Sequence, residues 1–144
     1  MTDKPFSLQE FMPYRFAVIA DKMSRELART YAEQYGISIA QWRVLSCLLS
    51  GAISGQPVTA KHVTDQTPMD KVKVSRAVAN LLERKLISKK TDPSDGRAAI
   101  LVLTTAGNKT ATAIKDEALR FEQHLFAGWT LREVAQLKSL LDKF

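Results

Sequence analysis

Residues 86–103 break the rhythm of everything around them. On either side, apolar residues recur at three- and four-residue steps, the spacing that aligns them along one face of an α-helix. Within 86–103 the period changes. Leu86-Ile87-Ser88-Lys89-Lys90 reads as one short strand, and Ala99-Ile100-Leu101-Val102-Leu103, apolar and partly β-branched, as a second. Between them, Asp92-Pro93-Ser94-Asp95-Gly96 is dense in turn-forming residues. The expected fold class is mainly α with one small β-hairpin.

The flanking helices are marked at their starts. Ser7-Leu8-Gln9-Glu10, Ser38-Ile39-Ala40-Gln41 and Thr130-Leu131-Arg132-Glu133 each have the capping-box pattern, in which a hydroxyl accepts from an orphan N–H and the fourth side chain reaches back. Phe16, Ile19, Ala20, Met23, Leu27 and Tyr31 define a long first helix over Tyr14 to Tyr35, stopped by Gly36. Pro13 either kinks that helix or sits in its first turn. A second helix runs from Ser38 through Trp42, Leu45, Leu48 and Leu49, and Gly51, Ser54, Gly55 and Pro57 are expected to form a loop. Thr59 caps a short third helix over 60–66. Thr67-Pro68 or Asp70 opens a fourth to about Arg84, with Val74, Val78, Leu81 and Leu82 facing inward. After the hairpin, Thr104-Thr105 starts a helix carrying Ile114, Ala118, Phe121 and Leu125, which Gly128 breaks. The last helix carries Leu131, Val134, Leu137, Leu140, Leu141 and Phe144. The order is four helices, a hairpin, then two helices.

Composition narrows the function classes. A chain of 144 residues with 45% hydrophobic content can bury a core without staples. Its one cysteine, Cys47, excludes an intrachain disulfide and a Cys-rich zinc site. His62 and His124 are single and distant in sequence, with no metal spacing and no order from which Ser/His/Asp or Cys/His chemistry can be argued. No Gly-rich phosphate loop is present. The expectation is a non-enzyme with no cofactor and no metal. A polar N-terminus without a signal-peptide core, and no apolar run of roughly 18–20 residues, point to a cytoplasmic protein with no membrane partner.

Charge is more informative in its placement than in its sum of +6. Residues 1–56 carry 6 basic and 5 acidic side chains, and residues 101–144 the same. Residues 57–100 carry 9 and 5, so +4 lies in the middle third. Such a local excess suits a polyanion, because neutralising phosphates and releasing their counterions supplies affinity. A merely solvated basic face would show the same count.

Two short helices joined by a tight turn and followed by a hairpin describe a winged helix-turn-helix. The second helix of such a pair fits the major groove of a duplex. Here it offers Lys71, Val72, Lys73, Ser75 and Arg76. Val72, Ser75 and Arg76 share one face, and the lysines flank it within reach of phosphates. Arg76 suits guanine, Ser75 is a short donor or acceptor, and Val72 suits a thymine methyl. At the hairpin tip Arg97 can enter the adjacent minor groove, with Asp95 close enough in sequence to aim it.

Asp95-Gly96-Arg97, five residues, then Leu103-Thr104-Thr105-Ala106-Gly107 resembles the wing signature of the MarR family of bacterial regulators. Val74-Ser75-Arg76-Ala77-Val78 with Leu81-Leu82-Glu83-Arg84-Lys85-Leu86-Ile87 resembles that family's recognition helix and its lead into the wing, and Trp42-Arg43-Val44-Leu45 its second helix. Lys85 departs from the pattern, standing where the family often has glycine. The resemblance implies a homodimer presenting two recognition helices to one palindromic double-stranded DNA operator, acting as a transcriptional repressor. Residues 1–36 would be an N-terminal dimerisation segment, 37–104 the DNA-binding lobe and 105–144 the C-terminal dimerisation helices, all in one compact chain. The apolar stripes with Phe121, Phe126, Leu137, Leu141 and Phe144 agree with a dimer.

The resemblance also implies a small-molecule effector, an aromatic carboxylate or a related anion. Tyr14, Arg15, Trp42 and Arg43 are the candidates, an arginine beside an aromatic wall suiting such an anion. An ordinary role, with Trp42 in the core and the arginines in ion pairs, accounts for the same residues. Cys47 has no flanking base that would activate it as a redox sensor. The alternative to a DNA-binding regulator is a winged-helix protein-interaction module without DNA binding, whose recognition helix would be neutral or acidic.

Overall fold

The computed structural model describes residues 4–94 and 96–144. The described residues form α1 (Met12–Tyr35), α2 (Ile39–Ser54), α3 (Ala60–Gln66), α4 (Lys71–Glu83), β1 (Ile87–Thr91), β2 (Ala99–Leu103), α5 (Thr105–Leu125) and α6 (Leu131–Leu141). This is the expected order, a mainly α winged helix-turn-helix. The strands pair antiparallel, Ile87 opposite Leu103 and Thr91 opposite Ala99. Val58 adds a bridge on the outer side of β2, its carbonyl accepting from Leu101 N at 2.8 Å.

Helix starts follow the capping residues. Ser38 and Thr130 both close full capping boxes. Thr59 accepts from His62 N at 3.1 Å, Asp70 from Lys73 N at 2.8 Å and Thr104 from Gly107 N at 3.0 Å. Each such cap contributes about 1 kcal/mol. Asp70, rather than Thr67-Pro68, therefore opens α4.

Two expectations fail for physical reasons. Ser7 caps no helix: the chain makes one turn there, Phe11 N donating to Ser7 O, and α1 begins at Met12 without a side-chain cap. A helix starting after Ser7 would place Pro13 in its second turn, with no N–H for the Gln9 carbonyl and a ring pressed against it. In the first turn of α1 the same proline costs nothing. Gly51 is not loop but the buried interior of α2. A Cβ there would lie 2.4 Å from Val58 Cγ2, so glycine lets the strand-like segment at Val58 close over the helix.

The core sits where α2, α3 and α4 meet the hairpin base and α5. Val44, Leu45, Val63, Leu81 and Ile114 are fully enclosed there, and Tyr31 joins them from the C-terminal half of α1. The other end of the molecule is the reverse. Residues 11–20 are all exposed, and α6 buries no residue. Phe16 of α1 and Phe144 beyond α6 touch edge to face, ring centroids 5.4 Å apart, and both remain open to solvent. The accessible surface is 10615 Å², against about 7,400 Å² for a compact monomer of this mass. Among the described residues no single helix is long and apolar enough to cross a membrane.

Candidate nucleic-acid interface

Helix α4 is two-faced. Val74, Ala77, Val78 and Leu81 are buried, while Lys71, Val72, Lys73, Ser75 and Arg76 are all exposed. The core thus dictates which side chains point outward, and they are the five expected from the sequence. Among the described residues no carboxylate forms an ion pair with Lys71, Lys73 or Arg76. Lys73 and Arg76 also line a cleft of about 280 Å³ with Ser38, Gln41 and Asn80, where α2 begins beside α4.

The hairpin stands beside this helix. A cleft of about 440 Å³ runs between α3, α4 and the strands, lined in part by Lys61, Ser75, Lys89 and Ala98. Lys89 and Lys90 face solvent on β1, and Arg97 is exposed in the connection leading into β2. The turn is ordered at its start, where Asp92 Oδ1 accepts from Ser94 N at 2.9 Å and Ser94 Oγ at 2.7 Å. Asp95, expected to aim Arg97, lies outside the described residues.

What holds α4 in place was only partly visible in the sequence. Its C-terminus closes as a Schellman motif: Leu86 N donates to Leu81 O and Lys85 N to Leu82 O, both at 3.0 Å. Lys85 takes the left-handed conformation this needs, φ 56°, where glycine carries no steric penalty. Thr104 then ties the joint to α5. Its hydroxyl donates to Lys85 O at 2.7 Å while accepting from Gly107 N, and its N–H donates to Leu86 O at 3.1 Å. Gly107 is required there, because a Cβ would fall 1.7 Å from Leu86 O. The Leu103-to-Gly107 motif is thus the weld between α4, the hairpin and α5.

Two further ties escaped the sequence reading. Gln41 Nε2 donates to Asn80 Oδ1 at 2.7 Å, linking α2 to α4. Arg84 donates to Gly36 O at 2.8 Å and Tyr35 O at 3.0 Å, linking α4 to the end of α1. The clearest local hint was that α1 ends without a cation of its own.

The effector candidates are not gathered. Trp42 packs on Tyr31, ring centroids 6.0 Å apart, with Arg43 near the same phenol. Tyr14 and Arg15 lie at the other end of α1, about 25 Å from Tyr31 along the helix. Within one chain the length of α1 keeps Tyr14 and Arg15 apart from Trp42 and Arg43. The ordinary role fits in part: Trp42 packs against the core, but among the described residues neither arginine is ion-paired. Cys47 is half-buried and lines a polar cleft with His62 and Gln66, a proximity that sequence order did not reveal. Burial pushes its thiol pKa up, away from the reactive thiolate.

Comparison with known proteins agrees with this geometry. Residues 35–98 match the model of the MarR family. The chain is 26% identical over 87 residues to YxaD, an HTH-type transcriptional regulator of Bacillus subtilis; the match covers 60% of this chain and 61% of that protein. A MarR/EmrR family transcriptional regulator from Acinetobacter sp. ADP1 superposes with a TM-score of 0.83 at 27% identity, covering 96% of this chain and 94% of the other. MepR of Staphylococcus aureus in its DNA complex superposes with a TM-score of 0.78 at 27% identity, covering 96% of both chains.

Proposed function

We propose that this chain, whose residues 35–98 match the model of the MarR family, is a dimeric transcriptional regulator that reads a palindromic duplex and represses by occupying it. The observation that carries the reading is the face of α4. Five exposed side chains, three of them cations without a carboxylate partner among the described residues, stand on a helix fixed beside a basic hairpin. Arg76 and Ser75 take base edges, Val72 a thymine methyl, and Lys71 and Lys73 phosphates. Arg97 takes the minor groove alongside. A protein-interaction module would have no use for so much uncompensated positive charge.

Dimerisation follows from the surface left open. Phe11 before α1, Met12, Tyr14, Phe16, Val18 and Ile19 on it, and Leu131, Leu140, Leu141 and Phe144 at the chain's end, form apolar area that one copy does not cover. In this reading residues 1–36 and 105–144 make the dimer, and 37–104 read DNA. MepR was solved on DNA, and that precedent at 27% identity supports the same use of α4 here.

The test is selection of duplexes from a random-sequence library by the purified protein, followed by equilibrium titration at several salt concentrations. A recovered palindrome bound by a dimer, with affinity falling steeply as salt rises, is the expected result. Recovery of no sequence, or binding indifferent to salt, overturns the reading.

A further inference from the structure

We propose that Arg84 is a positioning residue that sets the angle between the recognition helix and the dimerisation helices, and so the half-site spacing the protein accepts. The proposal rests on the reading of a DNA-binding dimer above.

Residues 84–86 form a joint with two unlike ties. Toward α5 the tie is rigid: Thr104 binds the carbonyls of Lys85 and Leu86, and Gly107 lies against the Leu86 carbonyl with no room for a Cβ. Toward α1 the tie is a single side chain. Arg84, the C-cap residue of α4, spreads its guanidinium over the carbonyls of Tyr35 and Gly36. Among the described residues no other hydrogen bond joins α4 to α1. The pairing is chemically apt. The last turn of α1 has no basic residue, so its orphan carbonyls and negative dipole end are met by a cation from 48 positions further along the chain. Gly36, left-handed at φ 62°, turns the backbone there, and a Cβ on it would approach Arg84 Nη2 to 3.7 Å.

The lever is long. Thirteen residues of α4 span about 20 Å, so a tilt of its lobe by about 5° at Arg84 in each of two copies moves each Lys71 end by about 1.7 Å and changes their separation by about 3.5 Å. That is close to the rise of one base pair. A tie that holds the tilt therefore chooses between palindromes differing by one base pair in their centre. Arg84 is exposed, so its removal costs the fold little while freeing the tilt.

The experiment compares the wild type, Arg84→Ala and Arg84→Lys on the selected palindrome and on versions with one central base pair added or removed. Thermal midpoint and sedimentation are measured alongside. The wild type is expected to lose about tenfold or more in affinity on either altered spacing. Both variants remain folded dimers yet bind the three duplexes within about threefold of one another, lysine failing because it keeps the charge without the planar fork. Discrimination retained by both variants overturns the proposal. So does unfolding of both, which would assign Arg84 to the fold. A wild-type protein that binds no duplex, or that is a monomer, overturns the functional reading and this proposal with it; a wild type that discriminates while the variants do so equally overturns this proposal alone.

Discussion

The carbonyl oxygen of Leu86 lies so close to Gly107 that a single methyl group on Gly107 would come to 1.7 Å from it. Neither side can yield: one is the backbone leaving α4 and the other the first turn of α5. Gly107→Ala is therefore expected to destabilise the chain by about 3 kcal/mol or more, read as a lowered urea midpoint. A change below about 1 kcal/mol would mean that the weld at Thr104 is looser than its hydrogen bonds imply.

Lys85 shows the opposite case. It sits at φ 56°, in the left-handed region that costs a residue with a Cβ roughly 1 kcal/mol. Lys85→Gly is expected to raise stability, by somewhat less than that figure because glycine also loosens the unfolded chain. Chemical denaturation at fixed protein concentration decides the sign.

These two positions show what a sequence reveals and what it conceals. Caps at Ser38, Thr59, Thr104 and Thr130 were legible because a hydroxyl and the N–H it serves lie within one turn. The outward face of α4 was legible because Val74, Val78 and Leu81 fix the inward one. The Ser7 pattern misled, since the proline that vetoes it lies six residues further on. Gly51 misled too, because its partner Val58 lies beyond the helix end. Arg84 was invisible as a tie: its acceptors are carbonyls, which every residue carries. The effector candidates looked adjacent only as types, and the length of α1 separates them.

In the proposed complex the exposed cations differ in role. Arg76→Ala is expected to cost about 1–3 kcal/mol on the selected duplex and to relax preference at one base position. Lys73→Ala is expected to weaken all duplexes alike and to flatten the log–log salt slope by about 1. Arg97→Ala should weaken binding while leaving the dimer folded. Fluorescence anisotropy with matched and mismatched duplexes distinguishes these outcomes.

A charge placed in the open apolar face should dissociate the dimer. Phe16→Asp and Leu141→Asp each are expected to give monomers at micromolar concentration in sedimentation, with α2 to α4 still folded. A dimer that survives both would have its interface elsewhere.

Tyr31 reports on the core at alkaline pH. It is 1% exposed, and burial holds its phenol neutral, pushing its pKa up to about 12 from 10.0 against a smaller opposing pull from Arg43. Its contribution to stability is therefore intact below pH 10, where both folded and unfolded chains keep the proton. It declines as the pH rises toward 12, because the unfolded phenol ionises first. Ultraviolet titration should show one of the three tyrosines ionising late, and Tyr31→Phe should flatten the alkaline fall in the denaturation midpoint.

No residue of α6 is buried by its own chain, so in the proposed dimer that helix completes its packing only on a second copy. Abundance then becomes a variable of the molecule itself. In that dimer, dilution would loosen the ends of the chain and part the two DNA-binding lobes, and mass action would restore both together as copies accumulate. A cell could thus throttle such a protein by synthesis rate alone, with no signal bound to it.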